Sequence, residues 1–324
     1  KLSMRTLSPA QLKRVEALFA DIPSRRAPGC AIGLARAGEP LLAQGFGLAS
    51  IEQDAPITPD TGFRIASVSK HFTVAAALLL QAQGRLGLQD PVGRHLDGLP
   101  DWGQVVRIEH LMRNTSGLPD FLELLRLGGV GMEQRLDRAA MLDAIRRSGH
   151  LNFEPGSRFL YCNSNFLLLG LIVERLAGQR LDAFLQTHLL GPAGLDDTAM
   201  LSANDNVTPG LAAPYLPDPA GGYKRALHGF EHGGEGGLVS SVKDLLRWSA
   251  ALLQPDSPLA ALADPSTLSS GQPSPYARGL EHSQWLGRDC VGHGGLWPGY
   301  RTEFLLMPAE QLAAVVISND AGRN

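Results

Sequence analysis

Phe63-Arg64-Ile65-Ala66-Ser67-Val68-Ser69-Lys70-His71-Phe72-Thr73 runs without a break into Val74-Ala75-Ala76-Ala77-Leu78-Leu79-Leu80. The second segment is apolar on every side, and a helix apolar all round is a buried one. Ser67 therefore stands at the N-terminal end of a buried helix. Lys70 lies one turn on, and residues i and i+3 are neighbours on one helix face. A hydroxyl and an amine so placed, both out of bulk water, make an activated nucleophile. Burial and the positive helix end both disfavour the ammonium, so a neutral Lys70 can accept the Ser67 proton. The backbone N–H of Ser67, unpaired at a helix start, is a candidate oxyanion donor.

The same spacing recurs at Ser240-Ser241-Val242-Lys243. There Ser241 and Asp244 read as a capping box opening an amphipathic helix from Val242 to Leu253, with Lys243 and Arg247 on its wet face. The second copy is taken as a helix start.

Composition bounds the rest. With 324 residues and 44% hydrophobic content the chain has ample material for a core. A net charge of −3 favours neither nucleic acid nor a membrane surface. No apolar run is long enough to cross a bilayer. Lys1-Leu2-Ser3-Met4 lacks the apolar core of a signal peptide. The expected compartment is cytoplasmic, or periplasmic or secreted if a leader was removed upstream. Cys30, Cys162 and Cys290 are widely spaced and odd in number, which suits a reducing compartment and offers no metal-ligand pair.

Along the chain, Ser8-Pro9 opens a helix to about Ile22 with the apolar stripe Leu12, Val15, Leu18 and Phe19. Residues 30–35 and 41–48 read as strands joined by 37–40. The Ser67 helix runs to about Gln83. Further helices are predicted over 107–113, 136–147, 164–177 and 181–190, then a Pro/Gly-rich stretch to Gly222. After the helix from Val242 come strands over 278–286, 291–295, 301–307 and 312–318. The expected fold is α/β plus an all-α lobe. Residues 1–66 and 230–324 build the α/β lobe, 67–229 the mostly helical one, and the active site lies at their boundary.

Of the five tyrosines, Tyr161 alone has an asparagine two residues on, Asn163. In an extended segment i and i+2 point the same way, so a phenol and an amide reach one cleft while Cys162 points away. A buried tyrosine beside a lysine can exchange protons; the alternative is a core tyrosine hydrogen-bonded at its hydroxyl. His293-Gly294-Gly295 sits in strand text, where glycines mark close approach of a ligand or backbone. Such a strand offers main-chain groups to a peptide-like substrate, and the N–H of Leu296 is a candidate second oxyanion donor. Gly294, Gly295 and Trp297 are expected to touch substrate. His232-Gly233-Gly234 competes, but without strand text around it. The chain has no nucleophile-elbow Gly-x-Ser-x-Gly, no clustered Cys/His and no phosphate-binding glycine loop. No metal and no cofactor is expected.

Ser67-Val68-Ser69-Lys70, Tyr161-Cys162-Asn163 and His293-Gly294-Gly295, in that order, resemble the three motifs of the serine β-lactamase and penicillin-binding-protein family. Met112-Arg113-Asn114-Thr115-Ser116-Gly117-Leu118-Pro119, Phe153-Glu154-Pro155-Gly156-Ser157 and Gly236-Gly237-Leu238-Val239-Ser240-Ser241 resemble the same family. The likeness spans roughly residues 10 to 320. Within it the text is most similar to bacterial D-aminopeptidases, which share Ser-Val-Ser-Lys, Tyr-Cys-Asn and Gly-His-Gly-Gly.

The resemblance implies a β-lactamase/transpeptidase-like fold, an antiparallel sheet with flanking helices and an inserted helical lobe. It implies Ser67 as nucleophile, Lys70 as its base, and Tyr161 as the acid that protonates the leaving amine and later helps activate water. Asn163 and His293 would position substrate and tune the Lys70–Tyr161 pair. Where β-lactamases and DD-peptidases carry Lys-Thr-Gly, this chain has His-Gly-Gly. That lysine receives a substrate carboxylate, and a histidine is only partly charged near neutral pH, which tells against penicillin-like substrates.

The expected activity is therefore a cofactor-free serine hydrolase acting through an acyl-enzyme on short peptides or amides with an N-terminal D-residue. An esterase or β-lactamase/DD-peptidase-like hydrolase on the same residues is the enzymatic alternative. A non-catalytic peptide or peptidoglycan sensor is the other; the full residue set argues against it. Asp120, Glu123, Glu231 and Glu235 are the loop acids that could meet a substrate amine. Only residues 319–324 follow the last strand, where the resembled family has a helix covering the sheet. A missing C-terminal segment or a homodimer partner is expected to cover that face.

Overall fold

The computed structural model describes residues 7–22, 26–203, 205–254 and 256–322. The reading of Lys1-Leu2-Ser3-Met4 lies outside the described residues.

Ser8 accepts from the Gln11 N–H and the Gln11 side chain returns to the Ser8 N–H, so a capping box starts helix α1 (Pro9–Ala17). The helix stops short of Ile22. Leu18 and Phe19 N–H turn back to Val15 and Glu16 carbonyls, the i−3 bonds of a tightening turn. Pro23 disfavours α geometry at Ile22 before it. Leu18, placed in the apolar stripe by spacing, is 74% exposed.

Strands β1 (Cys30–Arg36) and β2 (Glu39–Phe46) form a hairpin. Ala37 and Gly38 at its tip both have positive φ, as a two-residue type I′ turn requires. β2 ends before Gly47, whose φ of +75° turns the chain, and Leu48 pairs with Pro56 in a separate ladder. The predicted strand to Leu48 is thus two pieces.

Among the described residues seven α-helices and a set of short ladders follow: α2 (Lys70–Ala82), α3 (Ile108–Met112), α4 (Phe121–Leu127), α5 (Arg138–Arg147), α6 (Asn163–Ala177), α7 (Leu181–Leu185) and α8 (Val242–Leu253) complete the helical set begun by α1. Predicted as one helix, 181–190 changes pitch at Gln186–Leu190, a π turn. Leu181, Phe184 and Leu185 are buried, then Leu189 and Leu190. Leu189 keeps the helical spacing from Leu185, and the wider turn brings Leu190, five residues on from Leu185, inward as well.

Strands β3 (Glu281–Trp285), β4 (Arg288–Trp297), β5 (Tyr300–Met307) and β6 (Leu312–Ser318) close the chain. They join the first hairpin in one sheet, order β3-β4-β5-β6-β1-β2, antiparallel throughout. β6 pairs with β1 from Cys30↔Ser318 to Arg36↔Leu312, so the two ends of the chain meet mid-sheet. On one face Val242 and Leu246 of α8 fill the space over Gly33. On the other, Val15, Phe19 and Ile22 pack on Cys30, Ile32, Leu42, Phe46 and Val316. Helix α2 packs against α6 and α7, which explains why its run 74–80 carries no polar face. Among the described residues no helix is long and apolar enough to cross a membrane, and no group of three His, Cys, Asp or Glu could hold a metal ion.

Candidate active site

Phe63 and Arg64 pair with Ser240 and Val239, and the Ile65 N–H bonds to the Leu238 carbonyl at 3.1 Å. These bonds carry the chain to Ala66, whose φ of +49° is left-handed, uncommon for a residue with a Cβ. Ser67 follows in a 3₁₀ turn, Ala66–Ser69, that precedes α2. An α-helix starting at Ser67 was the expectation. The tighter turn eclipses i and i+3, and Lys70 Nζ lies 2.9 Å from Ser67 Oγ.

Lys70 has no exposed surface. Its three donors go to Ser67 Oγ, Asn163 Oδ1 at 2.8 Å and the Glu235 carbonyl at 2.8 Å. Burial pulls its pKa down to about 8, against the opposing pull of Glu235 and Asp120. An ammonium uses all three bonds. A neutral amine keeps two and turns its lone pair to the Ser67 hydroxyl. Tyr161 donates to Ser67 Oγ at 2.7 Å, and burial pushes its phenol up.

The segment carrying Tyr161 is extended only to Cys162, the N-cap of α6; Asn163 is the first helical residue. Extended alternation was expected through Asn163. The turn into the helix still brings the phenol and the amide to Ser67 and Lys70. Cys162 faces inward, its thiol 3.3 Å from the Leu118 carbonyl and pushed up to about 12 by burial.

The Glu235 carbonyl is held by the 233–238 loop. Thr73 Oγ1 donates to the Gly234 carbonyl at 2.7 Å and the Leu238 N–H donates to Ser69 Oγ at 3.0 Å. The Glu235 carboxyl turns away to the Gly233 N–H, and burial raises its pKa.

His293 is buried and bonded to the protein at both nitrogens. Nδ1 lies 2.6 Å from the Gly294 carbonyl, so it carries the proton, and Nε2 accepts from Tyr276 OH at 2.9 Å. Burial, with Lys70 nearby, lowers its pKa to about 3. The partial charge expected of this histidine is therefore absent at neutral pH, and its ring stands 5.8 Å from that of Tyr161 without a hydrogen bond. A Cβ on Gly295 would meet the Ile65 carbonyl oxygen at 2.3 Å. Glycine there lets β4 lie directly against the turn that carries Ser67.

Ser67, Tyr161, Asn163, His293, Gly294, Gly295, Leu296 and Trp297 all border one cleft of about 1320 Å³. The Leu296 side chain is 66% exposed beside it. Trp297 stands edge-on to His228 and His232, at 4.3 and 4.8 Å between centroids. The competing His232 is thus buried behind Trp297, and lies 3.0 Å from His228.

Of the loop acids, Glu123 borders the cleft and Glu231 accepts from the Arg138 N–H. Asp120 bonds Asn163, which sequence reasoning did not foresee. Tyr276, Glu281 and Glu303 were also missed. The two glutamates line the cleft, their carboxyls raised by burial. Glu281 pairs with Gly292 and Glu303 with Gly294, a register that a strand prediction over 291–295 could have yielded only with its neighbours aligned.

A family model described as Beta-lactamase matches residues 13–324. A D-aminopeptidase of Gluconobacter oxydans (strain 621H) is 33% identical over 316 residues, 94% of this chain and 58% of its own length. A D-aminopeptidase of Brucella anthropi is 31% identical over 322 residues, 98% of this chain and 61% of its own. The chain thus spans about three fifths of these curated relatives. Among solved structures, an octameric penicillin-binding protein homologue from Pyrococcus abyssi superposes with a TM-score of 0.83 at 26% identity, covering 96% of this chain and 74% of that one. The D-amino acid amidase of Ochrobactrum anthropi SV3 complexed with L-phenylalanine amide gives 0.79 at 23% identity, covering 95% and 91%; at that identity the likeness is one of fold.

Proposed function

This chain belongs to the beta-lactamase family, whose fold its antiparallel sheet and flanking helices share, and from that premise we propose that it is a serine hydrolase releasing an N-terminal D-amino acid from short peptides or amides through an acyl-enzyme. The observation that carries the reading is Ser67 Oγ held between Lys70 Nζ at 2.9 Å and Tyr161 OH at 2.7 Å on the edge of the cleft. The D-aminopeptidase relatives supply the substrate class. The same reading divides the chain into an α/β lobe, 1–66 with 230–324, and a helical lobe, 67–229, with Ser67 where they meet.

Ser67 Oγ bonds to the substrate carbonyl carbon as its proton passes to Lys70, which is neutral above about pH 8. The Ser67 and Leu296 N–H groups hold the oxyanion. As the C–N bond breaks, Tyr161 gives its proton to the leaving amine, and the Lys70 ammonium returns to the phenolate the proton it took from Ser67. Water then attacks the ester, its proton taken by the same pair, and Ser67 leaves as the hydroxyl. His293 is neutral with both nitrogens bonded. It supplies no cation for a carboxylate beside the scissile bond, which favours amides and peptides without one there.

D- and L-aminoacyl anilides, simple esters and a penicillin, assayed together, test the substrate class. Hydrolysis confined to D-aminoacyl anilides is expected; preference for the penicillin or the L-series would overturn it. Mass spectrometry after a fluorophosphonate should find the adduct on Ser67, and an adduct on Ser240 or Ser241 would sink the assignment.

A further inference from the structure

Asn163 can meet Lys70 in two ways, because the two ends of an amide have the same shape and opposite hydrogen-bonding character. Lys70 offers only donors while charged, so the oxygen must face it. What stands at the other end decides whether that orientation is enforced. Asp120 stands there. Its Oδ2 accepts from both the Asn163 backbone N–H, at 2.6 Å, and Asn163 Nδ2, at 2.9 Å. Its Oδ1 accepts from the Leu122 N–H at 2.8 Å and so caps α4.

We propose that Asp120 is a positioning residue of the reaction: it locks the Asn163 amide with its oxygen towards Lys70 and fixes that amide to the wall of the cleft formed by α4. The inference rests on the Ser67–Lys70 hydrolase reading. Turned over, the amide would set an oxygen against a carboxylate and an NH₂ against an ammonium, losing both charge-assisted bonds. The segment between is clamped as well. The Phe121 N–H donates to Ser164 Oγ at 2.8 Å, and Ser164 Oγ donates to the Pro119 carbonyl at 2.7 Å. The starts of α4 and α6 therefore move as one piece. Leu122, Glu123 and Arg126 of α4 line the cleft, so a substrate pressing on that wall acts on Asn163 through Asp120.

The carboxylate also acts on Lys70 by charge. Around Lys70 stand Ser67, Tyr161 and Asn163, the carboxyls of Glu235, Asp120 and Glu281, the Cys162 thiol and the neutral His293. Removing the Asp120 charge makes the ammonium less favourable and supplies the neutral amine at lower pH.

The test is the rate of Ser67 acylation by a p-nitrophenyl ester, followed by mass spectrometry from pH 5 to 10, in the whole chain and in Asp120→Asn. Asparagine keeps an oxygen for the cap. Acylation is expected to slow about tenfold to a hundredfold at its plateau, the cost of misplacing a reacting group, and the acid limb is expected to move to lower pH. Asp137→Asn is the control. That side chain caps α5 through the Ala140 N–H, away from the cleft, and its loss should move neither. If Asp120→Asn does not fold, Asp120→Ser, which also caps, takes its place. A wild-type plateau with an unmoved acid limb overturns the proposal while leaving the hydrolase reading intact. A slower rate with an unmoved limb and a fall in melting temperature like that of Asp137→Asn makes Asp120 a cap alone, and also overturns it. Failure of Ser67 to label in the unaltered chain at any pH overturns the hydrolase reading and this inference together.

Discussion

Ser67-Val68-Ser69-Lys70 and Ser240-Ser241-Val242-Lys243 place a serine three residues before a lysine in one chain. In the first, Lys70 is buried and its amine meets Ser67 Oγ, Asn163 Oδ1 and a carbonyl. In the second, the Lys243 side chain is 45% exposed and pairs with Asp60 at 2.6 Å. Ser241 there accepts from the Asp244 N–H and donates to Asp197, opening an amphipathic helix. Spacing is common to both; what differs is the run that follows. After Lys70 the helix has no wet side for an ammonium. After Lys243 polar residues recur with the helical period, so the lysine has water to point into. The environment of the amine, written in the next ten residues, separates a reactive pair from a helix start.

Alanine at the two serines should break the comparison most sharply. Ser67→Ala is expected to lower kcat/KM on a D-aminoacyl anilide by on the order of 10⁴-fold or more, because residues acting as one unit fail together. Ser240→Ala should leave it within about twofold. Equal losses would show that the first copy is not the nucleophile.

Tyr161→Phe comes next. It removes the hydroxyl bonded to Ser67 and keeps the ring. A fall of about 10²- to 10⁴-fold is expected, the usual worth of acid–base catalysis, with the melting temperature little changed. Full activity in this variant would make Tyr161 a core tyrosine.

The two lysines should also separate by pH. Lys70 must be neutral to take the Ser67 proton, and its pKa is lowered to about 8. Below that value the neutral fraction falls tenfold for each pH unit, so kcat/KM should rise with pH to a plateau above about 8. Lys243→Gln should leave this limb in place, whereas an acid limb near the ordinary lysine value would mean that Lys70 is not desolvated in solution.

Before the structure, the residues that carry their own periodicity were legible: α8 over Val242–Leu253, the last strand over 312–318, the buried α2. Ser67, Lys70, Tyr161 and Asn163 were legible as candidates, because each stands in a short pattern whose geometry local structure dictates. Asp120 was not. Its bond to Asn163 joins segments 43 residues apart, and no local rule aligns them. The Glu235 carbonyl was hidden for another reason, being main chain and carrying no residue signature. Tyr276 and the neutral state of His293 depend on burial created by the sheet. The positive φ of Ala66 falls where the Phe63–Arg64 ladder gives way to the 3₁₀ turn, and alanine itself has no preference for it.

The smallest effect concerns the second copy alone. Ser241 is buried, accepts from the Asp244 N–H at 3.2 Å and donates to Asp197 Oδ2 at 3.1 Å. Ser241→Ala leaves that N–H without its cap and the carboxylate without its donor. Loss of a serine cap costs about 1 kcal/mol, within a usual range of about 0.5–2. α8 packs on β1, β2 and β6 through Val242 and Leu246 over Gly33, so fraying its first turn loosens the sheet face opposite α1. The expected result is a lower urea midpoint with kcat/KM unchanged once the folded fraction is matched. Should Ser241→Ala instead lower kcat/KM at full folding, the second copy would have a part in the chemistry, and the contrast between a buried and a solvated amine would no longer separate the two.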